Sequence, residues 1–268
     1  MRFVLTFAAV AASSIGADLI PAPLTIDQKE AFLKSAPIEA VKDAKKGITG
    51  TVRAKLADGQ MAHDASIQVI DEYKAKFEGT RGTEFNFRDT YLFNIAAWKL
   101  GRMLGLESMI PPSVMREYHG HKGAFTWWIE NVQMDEVERM KTHAAAPDAQ
   151  RFNRETAIMR VFDELIYNTD RNAQNILYDR SWHLWMIDHT RAFRVNDKLM
   201  TPKRLEWCDR LMLQRMKALT LEALTAELGG YLRPAEIKSI LARRDRIVEF
   251  FDGRTEKLFD YLGAGLGS

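Results

Sequence analysis

The chain has 268 residues, 46% of them hydrophobic, with 38 Lys and Arg against 36 Asp and Glu. That length buries a substantial core and suits one domain or two closely joined lobes, while a formal net charge of +2 makes no electrostatic case for a nucleic-acid partner. The single cysteine, Cys208, excludes an intramolecular disulfide framework.

The amino terminus has the pattern of an export signal. Met1-Arg2 is charged, Phe3 to Ala12 is apolar, and small residues run to Ala17 before Asp18. Residues 1–17 are expected to be removed, leaving a periplasmic or secreted chain with no transmembrane segment, because the run is too short to span a bilayer. Residues 18–45 read as an arm with a short helix at 25–35, offering Ile26, Phe32 and Leu33 for docking.

The body is expected from residue 46. Two strand-like pieces in 46–56 flank a turn carrying Gly47 and Gly50, and Ala57-Asp58-Gly59 reads as a hairpin turn before a strand at 65–70. A helix is predicted over 89–104, with Phe93, Ala96, Ala97, Leu100 and Leu104 on one face. Beyond Pro111-Pro112, strands at 114–118 and 123–130 are joined by a turn whose His119 and His121 lack further ligands for a metal. Residues 130–132 read as a connector and 134–140 as a helix.

The stretch 161–193 concentrates the polar chemistry. Ile158, Val161, Phe162, Leu165 and Ile166 repeat at helical spacing, the polar run Asn168-Thr169-Asp170-Arg171-Asn172 follows, and two short apolar pieces at 175–178 and 184–187 read as the arms of a hairpin ending on Asp188. Asp170, Asn175 and Asp188 thus fall at element ends, where side chains converge on a cleft. An Asp, an Asn five residues on, and an Asp closing the next strand is the spacing of a kinase catalytic loop with its metal-binding Asp. Beyond it, helices are predicted at 202–216, 221–228 and 234–251. Arg243, Arg244 and Arg246 read as a solvated basic face, and Cys208, His183 and His189 as packing or supporting residues.

NTDRNAQNIL followed by WMIDHTRAF resembles the atypical kinases related to HipA-type kinases, to phosphoinositide 3- and 4-kinases and to the secretory-pathway casein kinases, as an exported bacterial-type member. The resemblance implies an α+β, two-lobed protein-kinase-like fold: a small antiparallel-sheet amino lobe with one helix (46–130) and a mostly helical carboxyl lobe (131–268). It makes Asp170 the catalytic residue and Asn175 and Asp188 ligands of Mg²⁺ or Mn²⁺, with ATP as donor and a hydroxyl-bearing acceptor of unassigned class. Gly47, Gly50 and Val52 would cover the phosphates, Trp128 would wall the adenine pocket, and Gln68 and Asn94 would stand where such kinases carry a Lys–Glu ion pair. Those two amides could bond each other as a neutral pair. His189 and Thr190 replace the Phe and Gly of a movable switch. The retained catalytic trio argues for an active kinase and the lost ion pair for an exported pseudokinase or nucleotide-binding module; transfer of another group from ATP, such as AMP, is a third reading.

Overall fold

The structure, a computed structural model, describes residues 23–43, 51–79 and 82–263; the expected signal segment and the turn bearing Gly47 and Gly50 lie outside them. Helix α1 (Ile26–Ser35) opens on a capping box, in which Thr25 Oγ1 accepts from Gln28 N and Gln28 Oε1 accepts from Thr25 N. Strands β1 (Ile38–Asp43), β2 (Val52–Ala57) and β3 (Ala62–Gln68) follow, then β4 (Asp71–Gly79) and β5 (Gly82–Thr90). Helix α2 (Leu92–Leu104), β6 (Ser113–Tyr118) and β7 (His121–Trp127) complete the amino lobe.

Among the described residues, β1, β2, β3, β7 and β6 form an antiparallel sheet in that order. Its two faces differ because side chains alternate along each strand. Ala54, Leu56, Ala65, Ile67 and Phe125 pack under Phe32 and Leu33 of α1, whereas Arg53, Ser66, Gln68 and Thr126 turn to the opposite side and line a cleft. The expected arm is therefore part of the lobe, since α1 covers the sheet and β1 is its edge strand.

Residues 71–79 and 82–90 form a two-stranded ribbon, β4 against β5, that the sequence did not announce. Most of β4 is exposed and charged, so no apolar alternation marks it; the ring stack of Phe77 on Phe87, centroids 4.1 Å apart, is its main apolar contact. Because Asp89 and Thr90 pair with Glu72 and Asp71 in this ribbon, α2 starts at Leu92 and not at residue 89.

The carboxyl lobe runs β8 (Val132–Asp135), α3 (Glu136–Thr142), α4 (Ala149–Ile166), β9 (Ile176–Asp179), β10 (Leu184–Met186), β11 (Cys208–Asp209), α5 (Arg210–Ala218), α6 (Leu221–Leu228), α7 (Pro234–Phe251) and β12 (Leu258–Phe259). Met134 and Asp135, expected to be helical, belong to β8, which pairs with β9. The helix expected over 202–216 begins only at Arg210. Asp209 caps it by accepting from Met212 N, while its second oxygen accepts from Tyr261 N and Leu262 N. One apolar core joins α2 to this lobe, with Phe93, Leu100 and Leu104 packed in the same cluster as Phe162, Leu165, Ile240 and Phe251.

The basic cluster on α7 is solvated only at Arg246. Arg243 is fully buried and donates to the carbonyls of Leu165, Arg194 and Asn196; Arg244 donates to those of Met216 and Leu219, and Arg246 to that of Asp197. Carbonyls at chain turns supply acceptors for Nε and Nη1 of Arg243, while its Nη2 is buried without a partner. Cys208 is buried, which pushes its thiol up to about 12 and leaves it inert.

A second buried polar centre ties α4 to the β9–β10 hairpin. Glu155, with no exposed surface, meets His183 Nδ1 at 2.6 Å, the Leu184 N–H at 2.8 Å and the Tyr261 hydroxyl. His183 Nε2 lies 2.5 Å from Ser108 O, so both ring nitrogens face acceptors, as in an imidazolium. Burial opposes charging of His183, but Glu155 outweighs it and raises the imidazole above its ordinary 6.5. Burial alone would raise Glu155; His183, Tyr261 and the Leu184 N–H instead hold it below 4.5. A raised base gives up its stabilisation as pH rises through its folded value, and a lowered acid gives up its own as pH falls through its folded value. The pair therefore stabilises fully between 4.5 and 6.5. We expect the loss of melting temperature in His183→Gln to be largest in that interval and to shrink toward alkaline pH. A loss that stays constant in a pH series of thermal melts would show that the imidazole is neutral.

Candidate functional site

The stretch 161–193 takes its shape from the end of α4. Tyr167 turns the chain in the left-handed region (φ 49°), and Asn168 locks the loop by donating from Nδ2 to Asp163 Oδ1 and accepting from Asp170 N, each at 3.1 Å. Arg171 is the hub of this turn. It pairs with buried Asp163 at 3.0 Å and donates from Nη1 to Asn175 O (3.0 Å) and Ile187 O (2.8 Å). One guanidinium thus fixes the backbone that presents Asn175 and the backbone that leads to Asp188. Sequence reasoning quoted Arg171 inside its motif without giving it this work; its partner Asp163, eight residues upstream on the helix, was the signal to find.

Asp170, Asn175 and Asp188 line one cleft of about 1180 Å³ between the sheet and the helical lobe. Asn175 directs its amide nitrogen toward Asp170 O at 3.4 Å, which leaves Oδ1 turned the other way for a cation. Asp188 sits two residues past β10 in the left-handed region (φ 54°), a conformation Asp and Asn tolerate best among side-chain-bearing residues. Among the described residues no group of three or more His, Cys, Asp or Glu could hold a metal by itself. A cation such as Mg²⁺, bound by one or two protein oxygens with phosphate and water completing its shell, fits a site of one carboxylate and one amide.

On the sheet side, Asn94 Nδ2 donates to Gln68 Oε1 at 2.5 Å, and Asn94 Oδ1 accepts from the His189 N–H at 2.6 Å. The Gln68 amide lies beside the Asp188 carboxylate and lowers its affinity for a proton. The neutral pair joins β3, α2 and the segment after β10 into one hydrogen-bonded chain. Gly123 permits it, because a Cβ there would stand 2.8 Å from Gln68 O. His189 is buried and uncharged, since burial and nearby Arg171 both lower its affinity for a proton.

Trp128 lines the cleft just past β7, with the Arg53 guanidinium 4.3 Å from its ring centroid and paired with Asp64. Val52, expected among the nucleotide-binding residues, faces away. Strand alternation sets it with Ala54 and Leu56 against the core under α1, and its neighbours Thr51 and Arg53 line the cleft instead. Gly47 and Gly50 lie outside the described residues. Phe125 and Trp127 are core residues, Trp127 stacking on His63 at 3.7 Å.

No protein-family model and no curated protein matches the chain in sequence. Solved structures match it in fold. Hydra Fam20 with sugar aligns over 88% of this chain and 92% of its own at 15% identity (TM-score 0.65), and the Helicobacter pylori proinflammatory kinase CtkA over 80% and 92% at 8% identity (TM-score 0.50). The chain has an atypical kinase-like fold, with an antiparallel-sheet amino lobe and a helical carboxyl lobe.

Burial raises the Asp188 carboxyl above its ordinary 3.8; the Thr190 backbone and hydroxyl donors oppose this, nearby Asp89 adds to it, and the Gln68 bond offsets it in part. An acid raised in the folded state destabilises the fold at pH above that value and ceases to do so once protonated. Asp188→Asn removes the charge and keeps a residue suited to φ 54°. Without divalent cation at neutral pH, it is expected to raise the melting temperature, by about 2–4 °C for each kcal/mol relieved. A lowered melting temperature would mean that the donors from Thr190 and Gln68 outweigh burial.

Proposed function

We propose that the protein is a divalent-metal-dependent kinase that transfers the γ-phosphoryl group of ATP to a hydroxyl, and that it acts outside the cytoplasm. The observation that carries this reading is the convergence of Asp170, Asn175 and Asp188 on one cleft of a kinase-like fold. Asp170, more exposed than the other two, is held through its backbone, while its carboxylate meets only the Arg191 guanidinium, at 3.7 Å, and is free to orient an acceptor hydroxyl and take its proton. Asn175 and Asp188 would hold Mg²⁺ or Mn²⁺, which when bound neutralises charge on the phosphates. Gln68 and Asn94 hold Asp188 and the strand beside it in register, and Trp128 offers a flat apolar wall to a purine ring. Export rests on the signal-like run at 1–17; among the described residues no helix is long and apolar enough to cross a membrane.

A nucleotide-binding module without catalysis is the second reading, and the uncharged Gln68–Asn94 pair is the observation that favours it. A cation missing from a phosphate site removes a charge-assisted bond worth about 1.5–3 kcal/mol.

The two readings separate in one experiment. Mature protein is incubated with labelled ATP and Mg²⁺ or Mn²⁺ and a mixture of protein and sugar acceptors, beside Asp170→Ala and Asp188→Ala. Transfer abolished in both variants supports the kinase; a metal-dependent thermal shift with ATP but no transfer supports the module; no shift with any nucleotide refutes both. Because a metal competes with the proton on Asp188, whose carboxyl is raised by burial, cation affinity is expected to fall on acidification at a higher pH than for a surface carboxylate. Titration calorimetry of Mn²⁺ with ATP across pH, in buffers of different ionisation enthalpy, reads that proton release directly.

A further inference from the structure

The cleft wall opposite Gln68 carries a guanidinium, that of Arg191, three residues beyond Asp188. It is held from several sides. Nε donates to Asp89 Oδ2 at 2.7 Å, Cζ lies 5.6 Å from the Phe87 ring centroid, and the backbone carbonyl accepts from Thr169 Oγ1 at 3.0 Å. Nη1 stands 3.7 Å from Asp170 Oδ2, and the side chain keeps 35% of its surface exposed. An arginine anchored through Nε has its two terminal nitrogens left to meet an oxyanion.

The anchor itself is unusual. Asp89, at the foot of β5, is 1% exposed and its Oδ1 has no hydrogen-bond partner. A buried, half-satisfied carboxylate is unfavourable unless a cation compensates it, and Arg191 is that cation. The Thr90 N–H bond to Thr190 O at 3.0 Å pins the ribbon foot beside it. Among the described residues lining the cleft, Arg53 is the other basic side chain, and it is committed to Asp64 and lies over Trp128, on the connector side. Arg191 stands at the opposite end, beside Asp170 and Asp188.

We propose that Arg191 contacts the transferring phosphoryl group of the donor nucleotide and supplies, from the carboxyl lobe, the positive charge that Gln68 and Asn94 lack; this rests on the nucleotide reading of the cleft. In the transfer, the acceptor oxygen forms a new bond to the γ-phosphorus, the β–γ bridging bond breaks with its electron pair leaving on ADP, and the acceptor proton passes to Asp170. Negative charge on the equatorial oxygens meets Nη1 and Nη2. Asp89 acts as a positioning residue, fixing the fork before the donor arrives.

The test compares the wild type with Arg191→Met, Arg191→Lys and the double variant Asp89→Asn/Arg191→Met, which removes both charges so that no buried carboxylate is left unpaired. Mg·ATP and Mg·ADP affinities are measured by calorimetry, with turnover and melting temperature alongside. We expect Arg191→Met to lose about 10²–10³-fold in kcat and to bind Mg·ATP more weakly while Mg·ADP affinity is unchanged. Arg191→Lys recovers part of the loss, and the double variant regains melting temperature without regaining turnover or the preference for ATP. Turnover and ATP-over-ADP preference equal to the wild type in a folded Arg191→Met, or both restored in the double variant, overturn the proposal and leave the nucleotide reading intact. A wild type that binds neither nucleotide overturns both.

Discussion

The site depends on a hydrogen-bonded pair that carries no charge, Asn94 donating to Gln68 and accepting from the His189 N–H, with the Asp188 carboxylate beside it. It ties the end of β3, the first turn of α2 and the segment after β10 at one point. Amides serve here because each carries both donor and acceptor, so Asn94 accepts from one element while it donates to another. A Lys–Glu pair at the same two positions would be stronger as a bond and would add charge to the cleft. The amide pair avoids taking two ions out of water, and it sets a polar group beside a carboxylate that burial disfavours.

The ribbon β4–β5 belongs to the same design. At its free end it is charged and exposed; at its foot it is bolted to the helical lobe. Arg88 Nη1 donates to both oxygens of Glu236 on α7, at 2.6 and 2.8 Å, Arg194 reaches the Arg88 carbonyl at 2.5 Å, and Arg191 takes Asp89. All three lie within the sequence that runs straight into α2. The lobes are therefore coupled by buried ion pairs on one side and by the core around α2 on the other, an arrangement that opposes wide lobe opening. A rigid cleft suits positioned chemistry, and it agrees with the absence of a Phe-Gly pair after Asp188.

Local chemistry was legible in the sequence, and long-range chemistry was not. The catalytic stretch could be read because its helix, polar turn and hairpin are consecutive; α6 and α7 keep the expected bounds because Gly229 and Pro234 punctuate them. Periodicity also separated the face of α2 that packs on the carboxyl lobe. It failed where a side chain's partner is remote. Arg243 looked solvated because the carbonyls of Leu165, Arg194 and Asn196, 47 to 78 residues away, are invisible to a helical wheel. The ribbon had too few apolar residues to register, and Val52 was assigned to the cleft because a motif names positions whereas strand alternation decides faces. The amide pair is the informative exception: two positions expected from the resemblance to bond each other as a neutral pair do so across 26 residues.

The charges around the cleft show how one arrangement serves in place of another. Asp89, Asp170 and Asp188 bring three carboxylates to the phosphate end, and Asp89 raises Asp188 further. Against them stands Arg191, whose guanidinium is held in its charged form because Asp89, Asp170 and Asp188 together outweigh its burial. On the proposed reading, an end this acidic would repel a triphosphate until a divalent cation enters, and would attract the cation for the same reason. Donor and metal would then bind together, the affinity of each raised by the other as linkage requires. A lysine in place of Gln68 would bring the metal-free cleft nearer neutral and let the nucleotide enter alone. On that reading Arg191, and not the neutral pair, is the charge that meets the phosphates, and the pair's own part is geometric, tying β3, α2 and the segment after β10 together.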